Sequence, residues 1–96
     1  MYASIHRYEV RASLENDPAE LGWDLVAVLA RSPRFVAAVV VEDETGALFT
    51  IRLFEDQASL VGATPTADGW VAQQAGILQS SATEVAIGEV VAQKGL

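Results

Sequence analysis

Two apolar runs, Phe35–Val41 and Ala47–Phe54, flank the charged segment Glu42-Asp43-Glu44-Thr45-Gly46, and the rest of the chain is organised around them. Valine, isoleucine and phenylalanine dominate both runs, and such side chains fit a pleated, half-buried surface. Gly46 supplies the positive φ that short hairpin loops often need. The stretch therefore predicts an antiparallel hairpin. Its first strand lacks a polar face, since Phe35, Ala37, Val39 and Val41 share one parity and Val36, Ala38 and Val40 the other. Antiparallel sheets wetted on one side alternate apolar with polar residues. Both sides of this sheet need a cover, and in so short a chain one cover is expected from another molecule.

Before the hairpin, 2–10 reads as a strand with Tyr2, Ser4, His6, Tyr8 and Val10 on one face and Ala3, Ile5, Arg7 and Glu9 on the other. After polar residues 11–16, Asp17-Pro18-Ala19-Glu20 opens a helix, with Asp17 as cap, Pro18 at the first position and Glu20 where a capping box places an acid. Leu21, Leu25, Val28 and Leu29 form its apolar stripe, widened by Trp23 and Val26, until Ser32-Pro33 stops it. Past the hairpin, Glu55-Asp56 leads into helical sequence over 56–79, interrupted at Thr64-Pro65, where Thr64 is expected to cap a second segment. Trp70, Val71, Gln74, Ile77 and Leu78 make its inward stripe. A last strand is expected over 84–93, with Val85, Ile87 and Val91 on one parity and Ala86, Val90 and Ala92 on the other.

The order strand, helix, strand, strand, helix, strand is the α+β, ferredoxin-like β-α-β-β-α-β plait, with two helices on one face of an antiparallel sheet. Because the helices cover one face only, the other predicts a homodimer in which each sheet covers its partner.

Composition narrows the function. The 96 residues suffice for one domain, 1–96, with one core. A net charge of −7 and six scattered basic residues speak against nucleic acid. No apolar run approaches a membrane span, and the first residues show no secretory signal, so a cytoplasmic home is expected. The absence of cysteine removes disulfides, thiolate metal sites and cysteine nucleophiles, and with a single histidine no metal cluster is expected. Nucleophile elbow, phosphate-cradling glycine loop and EF-hand loop are all missing.

The segments MYASIHRY, PRFVAAVVVEDETGALFTIRLFED, the GW…V of the second helix and EVAIGEVV resemble the dimeric α+β barrel superfamily, in its antibiotic-biosynthesis-monooxygenase-like branch. The resemblance covers nearly the whole chain and implies a dimeric α+β barrel, in which two sheets face one another and helices lie outside. It speaks to fold more than to function. Members include cofactor-free oxygenases of aromatic polyketides, haem degraders, isomerases, cyclases and ligand sensors. Haem degraders carry an asparagine near the position of His6 and a histidine further along; here no second histidine exists, which argues against haem.

Four residues stand out chemically. His6 is the one side chain that titrates near neutral pH without perturbation, so it is the candidate base, against the plainer reading of a hydrogen-bonded structural histidine. Tyr8 shares its parity. Arg52 interrupts the third strand and Glu89 the fourth; they pair with each other, pair across the dimer, hold an anionic or phenolic ligand, or are simply exposed at a sheet edge. Trp70 and Trp23 offer flat surfaces to an aromatic ligand, or are plain core. His6, Tyr8, Arg52 and Trp70 are expected to share one pocket between sheet and helices. Two classes stay open: a cofactor-independent monooxygenase or isomerase acting on a small aromatic or quinol-like compound, and a non-catalytic small-molecule-binding or structural homodimer. Neither calls for a cofactor.

Overall fold

The computed structural model describes residues 1–10, 17–74 and 83–96. Its elements follow the expected order: β1 (Tyr2–Tyr8), α1 (Pro18–Ala30), β2 (Phe35–Glu42), β3 (Leu48–Phe54), α2 (Gln57–Gly62), α3 (Thr64–Gln73) and β4 (Thr83–Glu89). The four strands form one antiparallel sheet in the order β2-β3-β1-β4. β1 and β3 are therefore central and β2 and β4 are edges. The expected end of the second helix, with Ile77 and Leu78, lies outside the described residues.

Local chemistry sets the boundaries. Asp17 caps α1, its carboxylate accepting from Ala19 N at 3.0 Å with Pro18 at the helix start. Asp56 does the same for α2, accepting from Ser59 N at 2.8 Å. Thr64 is not a cap. It is the first residue of α3, Ala63 holds the cap position, and no side chain bonds there. α2 runs into α3 through the single residue Ala63, whose carbonyl accepts the first intrahelical bond of α3 from Ala67 N at 3.1 Å. In the β2–β3 hairpin, Gly46 takes φ +87° and Asp43 Oδ1 accepts from Thr45 N, Thr45 Oγ1 and Ala47 N.

All helices lie on one side of the sheet. Leu21, Leu25 and Leu29 of α1 pack with Ala67, Trp70 and Val71 of α3 over Tyr8 and Leu48, with Ala38, Val40 and Phe35 at the margin. A smaller cluster joins Phe54, Leu60 and Ala63, and Phe35 meets Phe54 edge-on at 5.7 Å. The β2–β3 ladder slips between Phe35 and Ala37. That slip changes the expected parity: Phe35 belongs to the helix side with Ala38 and Val40, whereas Ala37, Val39 and Val41 belong to the outer side. The β1–β4 ladder slips between Ile5 and His6, making Val85 the extra residue and placing Glu84 opposite His6.

The outer side carries Ala3, Ile5, Arg7, Phe49, Ile51, Leu53, Ala37, Val39, Val41, Thr83, Ala86 and Gly88, assigned by cross-strand pairing. Its cation, Arg7, lies over the Phe49 ring at 5.8 Å and is ion-paired with Glu9. Val39 and Val41 are exposed here. Trp23 does not join the inward stripe of α1: it is 74 % exposed. At 100° per residue it falls about half a turn from Leu21 and Leu25, beyond the reach of the sheet. Among the described residues no helix is long and apolar enough to cross a membrane.

Candidate functional site

Alternation along the two central strands aims their even-numbered side chains at the helices. On β1 these are Ser4, His6 and Tyr8, and on β3 they include Thr50 and Arg52. The ladder aligns them, with Ser4 opposite Arg52 and His6 opposite Thr50. The middle of an otherwise apolar interior thus carries five polar side chains. Ser4, Thr50 and Arg52 are all buried, Arg52 to 4 % exposure.

Arg52 is the centre of the group. Its guanidinium donates to the Tyr8 hydroxyl oxygen and sits over the edge of the Tyr8 ring, with Cζ 5.9 Å from the centroid. No carboxylate among the described residues forms an ion pair with it. Glu89, the partner considered from sequence, is exposed at the end of β4 opposite Tyr2, so Arg52–Glu89 pairing does not occur within the chain. Trp70 of α3 meets Tyr8 edge to face, with centroids 6.5 Å apart and planes at 89°. Tyr8, Arg52 and Trp70 therefore converge directly, and His6 lies beside them on the same face.

Three buried atoms have no hydrogen-bond partner among the described residues: His6 Nδ1, Thr50 Oγ1 and Arg52 Nε. Leaving one such group unpaired costs about 1–3 kcal/mol, and more when it is charged. Grouped on adjacent strands, they are the type of polar atoms that a bound molecule would satisfy.

The electrostatics follow from burial. Desolvation, followed by the nearby Arg52 charge, lowers the His6 pKa below 6.5, with Glu84 and Asp68 partly opposing. The imidazole is therefore neutral at neutral pH and able to take a proton. Burial raises the Tyr8 pKa above 10.0, against the pull of Arg52 and a contact with the Thr50 hydroxyl, so the phenol keeps its proton. Because its oxygen accepts from Arg52, the Tyr8 O–H points its own proton elsewhere, as a donor. Burial also lowers the Arg52 pKa from 12.5, yet an arginine stays cationic in a protein. One neutral base, one neutral donor and one cation share one face of the sheet.

Sequence reading missed Ser4 and Thr50. The signal was present, since each lies two residues from a singled-out side chain and shares its face. Trp23 stands apart, on the exposed flank of α1. Among the described residues no group of three His, Asp or Glu side chains is arranged to hold a metal ion.

No protein-family model matches the chain, and no curated protein resembles it in sequence. Solved structures do resemble it. A variant of SnoaB, a cofactor-independent oxygenase from Streptomyces nogalater, matches with TM-score 0.70 at 15 % identity, over 96 % of this chain and 94 % of its own. A protein of unknown function from Nitrosomonas europaea matches with TM-score 0.79 at 18 % identity, over 99 % and 93 %. An antibiotic biosynthesis monooxygenase matches with TM-score 0.72 at 19 % identity, over 96 % and 100 %. The chain has the ferredoxin-like α+β fold of antibiotic-biosynthesis-monooxygenase-like proteins.

Proposed function

We propose that this protein is a cofactor-independent monooxygenase of a small aromatic or quinol-like compound, working as a homodimer. The observation that carries the reading is Arg52: a buried cation with no carboxylate partner among the described residues, held against a phenol and beside a neutral imidazole. A buried charge without a counter-charge is expensive and is best explained by an anion that forms during turnover.

The chemistry begins with proton abstraction. His6 takes a proton from an activated carbon acid or phenol, and the delocalised anion is stabilised by Arg52 and by the Tyr8 O–H. The anion gives its electrons to dioxygen, a C–O bond forms, and the protonated His6 returns its proton to the peroxide oxygen. Loss of water from the resulting hydroperoxide leaves a carbonyl, so one oxygen atom enters the product and one leaves as water. Trp70 and Tyr8 are packed on each other, so an aromatic ring would reach Arg52 and His6 through a rearrangement of that cluster. The likeness to SnoaB supports the oxygenase reading at the level of fold.

The test is oxygen uptake with hydroxylated anthrones or quinols. Uptake well above the buffer rate, largely lost in His6→Ala, supports the reading; uptake at the buffer rate, or equally fast in His6→Ala, removes it. The second reading, a non-catalytic binding or structural homodimer, is favoured by the packing of Trp70 and Tyr8 into one cluster with Leu21, Leu25 and Leu29.

A further inference from the structure

Trp23 is the largest apolar side chain on α1 and the fold leaves it 74 % exposed. It borders a cleft of about 450 Å³ between the outer flank of α1 and the edge strand β2. Gly22, Val26 and Val40 form the apolar part of this cleft. Gly22 lets helix and strand close at its narrow end, because a Cβ there would come within 3.2 Å of Val40 Cγ1. Ala38 and Val40 on the cleft's β2 side pair with Arg52 and Thr50, but Tyr8, Arg52, His6 and Trp70 do not themselves line it.

Charge decides what such a cleft accepts. Among the described residues the charged side chains lining it are Asp17 and Glu42, both carboxylates and both exposed. Asp17 accepts from Ala19 N, which offsets the positive end of the helix at that point. An apolar floor, an indole wall and an acidic rim are complementary to a cation with an organic body. Cations within about 6 Å of an indole face gain about 0.5–2 kcal/mol from the ring quadrupole. A volume in this range holds a small organic molecule.

We propose that the α1–β2 cleft is a binding site for small organic cations, ammonium compounds with an aromatic or alkyl body, with Trp23 as the cation–π wall and Asp17 and Glu42 as counter-charges. The site is separate from the proposed oxygenase site and stands whether or not that reading holds.

The probe is benzyltrimethylammonium, compared with benzyl alcohol and benzoate, and the readout is the indole N–H signal of each tryptophan by NMR, assigned with Trp23→Phe. Benzyltrimethylammonium should shift the Trp23 signal saturably and leave that of Trp70 in place. Asp17→Asn combined with Glu42→Gln keeps a capping oxygen at the helix start and should weaken binding at least about fivefold. Trp23→Leu should weaken it by at least a similar factor, about fivefold. A response without saturation, equal affinity for all three compounds, or a shift centred on Trp70 would overturn the site. So would a Trp23 signal that moves with protein concentration alone, because the cleft would then be filled by a second copy.

Discussion

Arg52 donates a hydrogen bond to Tyr8 across two neighbouring central strands and lies over the edge of the same ring. The pair is asymmetric: the phenol is neutral and lies near Thr50 as well as Arg52, whereas the guanidinium carries a charge with no ion-pair partner among the described residues. Removing either member therefore has different consequences. Tyr8→Phe leaves the buried cation without its acceptor and should destabilise by about 1–3 kcal/mol. Arg52→Met removes the unpaired charge itself and should leave the thermal midpoint unchanged or raise it. Activity on a quinol-like substrate should fall in both, by on the order of a hundredfold for Arg52→Met. Thermal unfolding of the two single variants and the double variant measures the pair, and a clearly destabilised Arg52→Met would contradict this account.

Acid should act through His6. Its pKa is lowered in the folded chain, by burial first and by Arg52 second, whereas in the unfolded chain it is close to 6.5. Below pH 6.5 the unfolded state binds the proton more readily, so stability falls as pH drops from 6.5 toward the folded pKa and levels off beneath it. Over that window the thermal midpoint of the wild type should fall more than that of His6→Gln. The acid limb of kcat/KM should likewise lie below pH 6.5, and a limb above it would contradict the neutral-base role.

The outer side of the sheet should hold the second chain. Val39, which pairs with Ile51 on that side, is 49 % exposed in the single chain, whereas Val40 packs toward the helices. Sedimentation at low micromolar concentration should give about twice the 10.2 kDa chain mass. Val39→Asp should yield insoluble or unfolded protein, because a charge there opposes burial of a contiguous apolar face. The equally exposed Val61 of α2 provides the control, since Val61→Asp should leave mass and solubility unchanged.

The hairpin turn depends on one residue without a side chain. Gly46 has φ +87°, and Gly46→Ala should lower stability by about 1 kcal/mol, visible as a lower thermal midpoint. Gly46→Asn should lose less, since asparagine tolerates the left-handed region better. An unchanged midpoint in Gly46→Ala would mean that the turn relaxes freely.

Much of this was legible in the sequence because simple periodicities carried it. β2 spans the whole Phe35–Val41 run and ends on Glu42, α1 ends at Ala30 just before the Ser32-Pro33 stop, and the shared parity of His6 and Tyr8 brought them to one face. What was not legible came from irregularities that alternation cannot encode. The slip after Phe35 sent that ring inward, against its expected company with Val39. Trp23 was grouped with the leucine stripe by its hydrophobicity, although its angle on the helix put it outside. Arg52 was recognisable as an anomaly, but its partner was not: parity restricts a side chain to a face, while only the strand order shows that β1 separates β3 from β4.

The slip between Ile5 and His6 bears on how this chain can change over descent. In a regular ladder continued from Ile5, His6 would face Val85, and Glu84 would fall opposite Arg7 on the outer side. One extra residue moves the carboxylate inward and leaves Thr83 opposite Arg7 on the outer side. Loss of a residue within a strand normally turns every later side chain over. Here the loss of Val85 would instead straighten the ladder with Glu84 still opposite His6. The neighbourhood of the imidazole is therefore open to change by deletion as well as by substitution, and a lineage carrying this fold can lose one codon in β4 without rewriting which residues face inward.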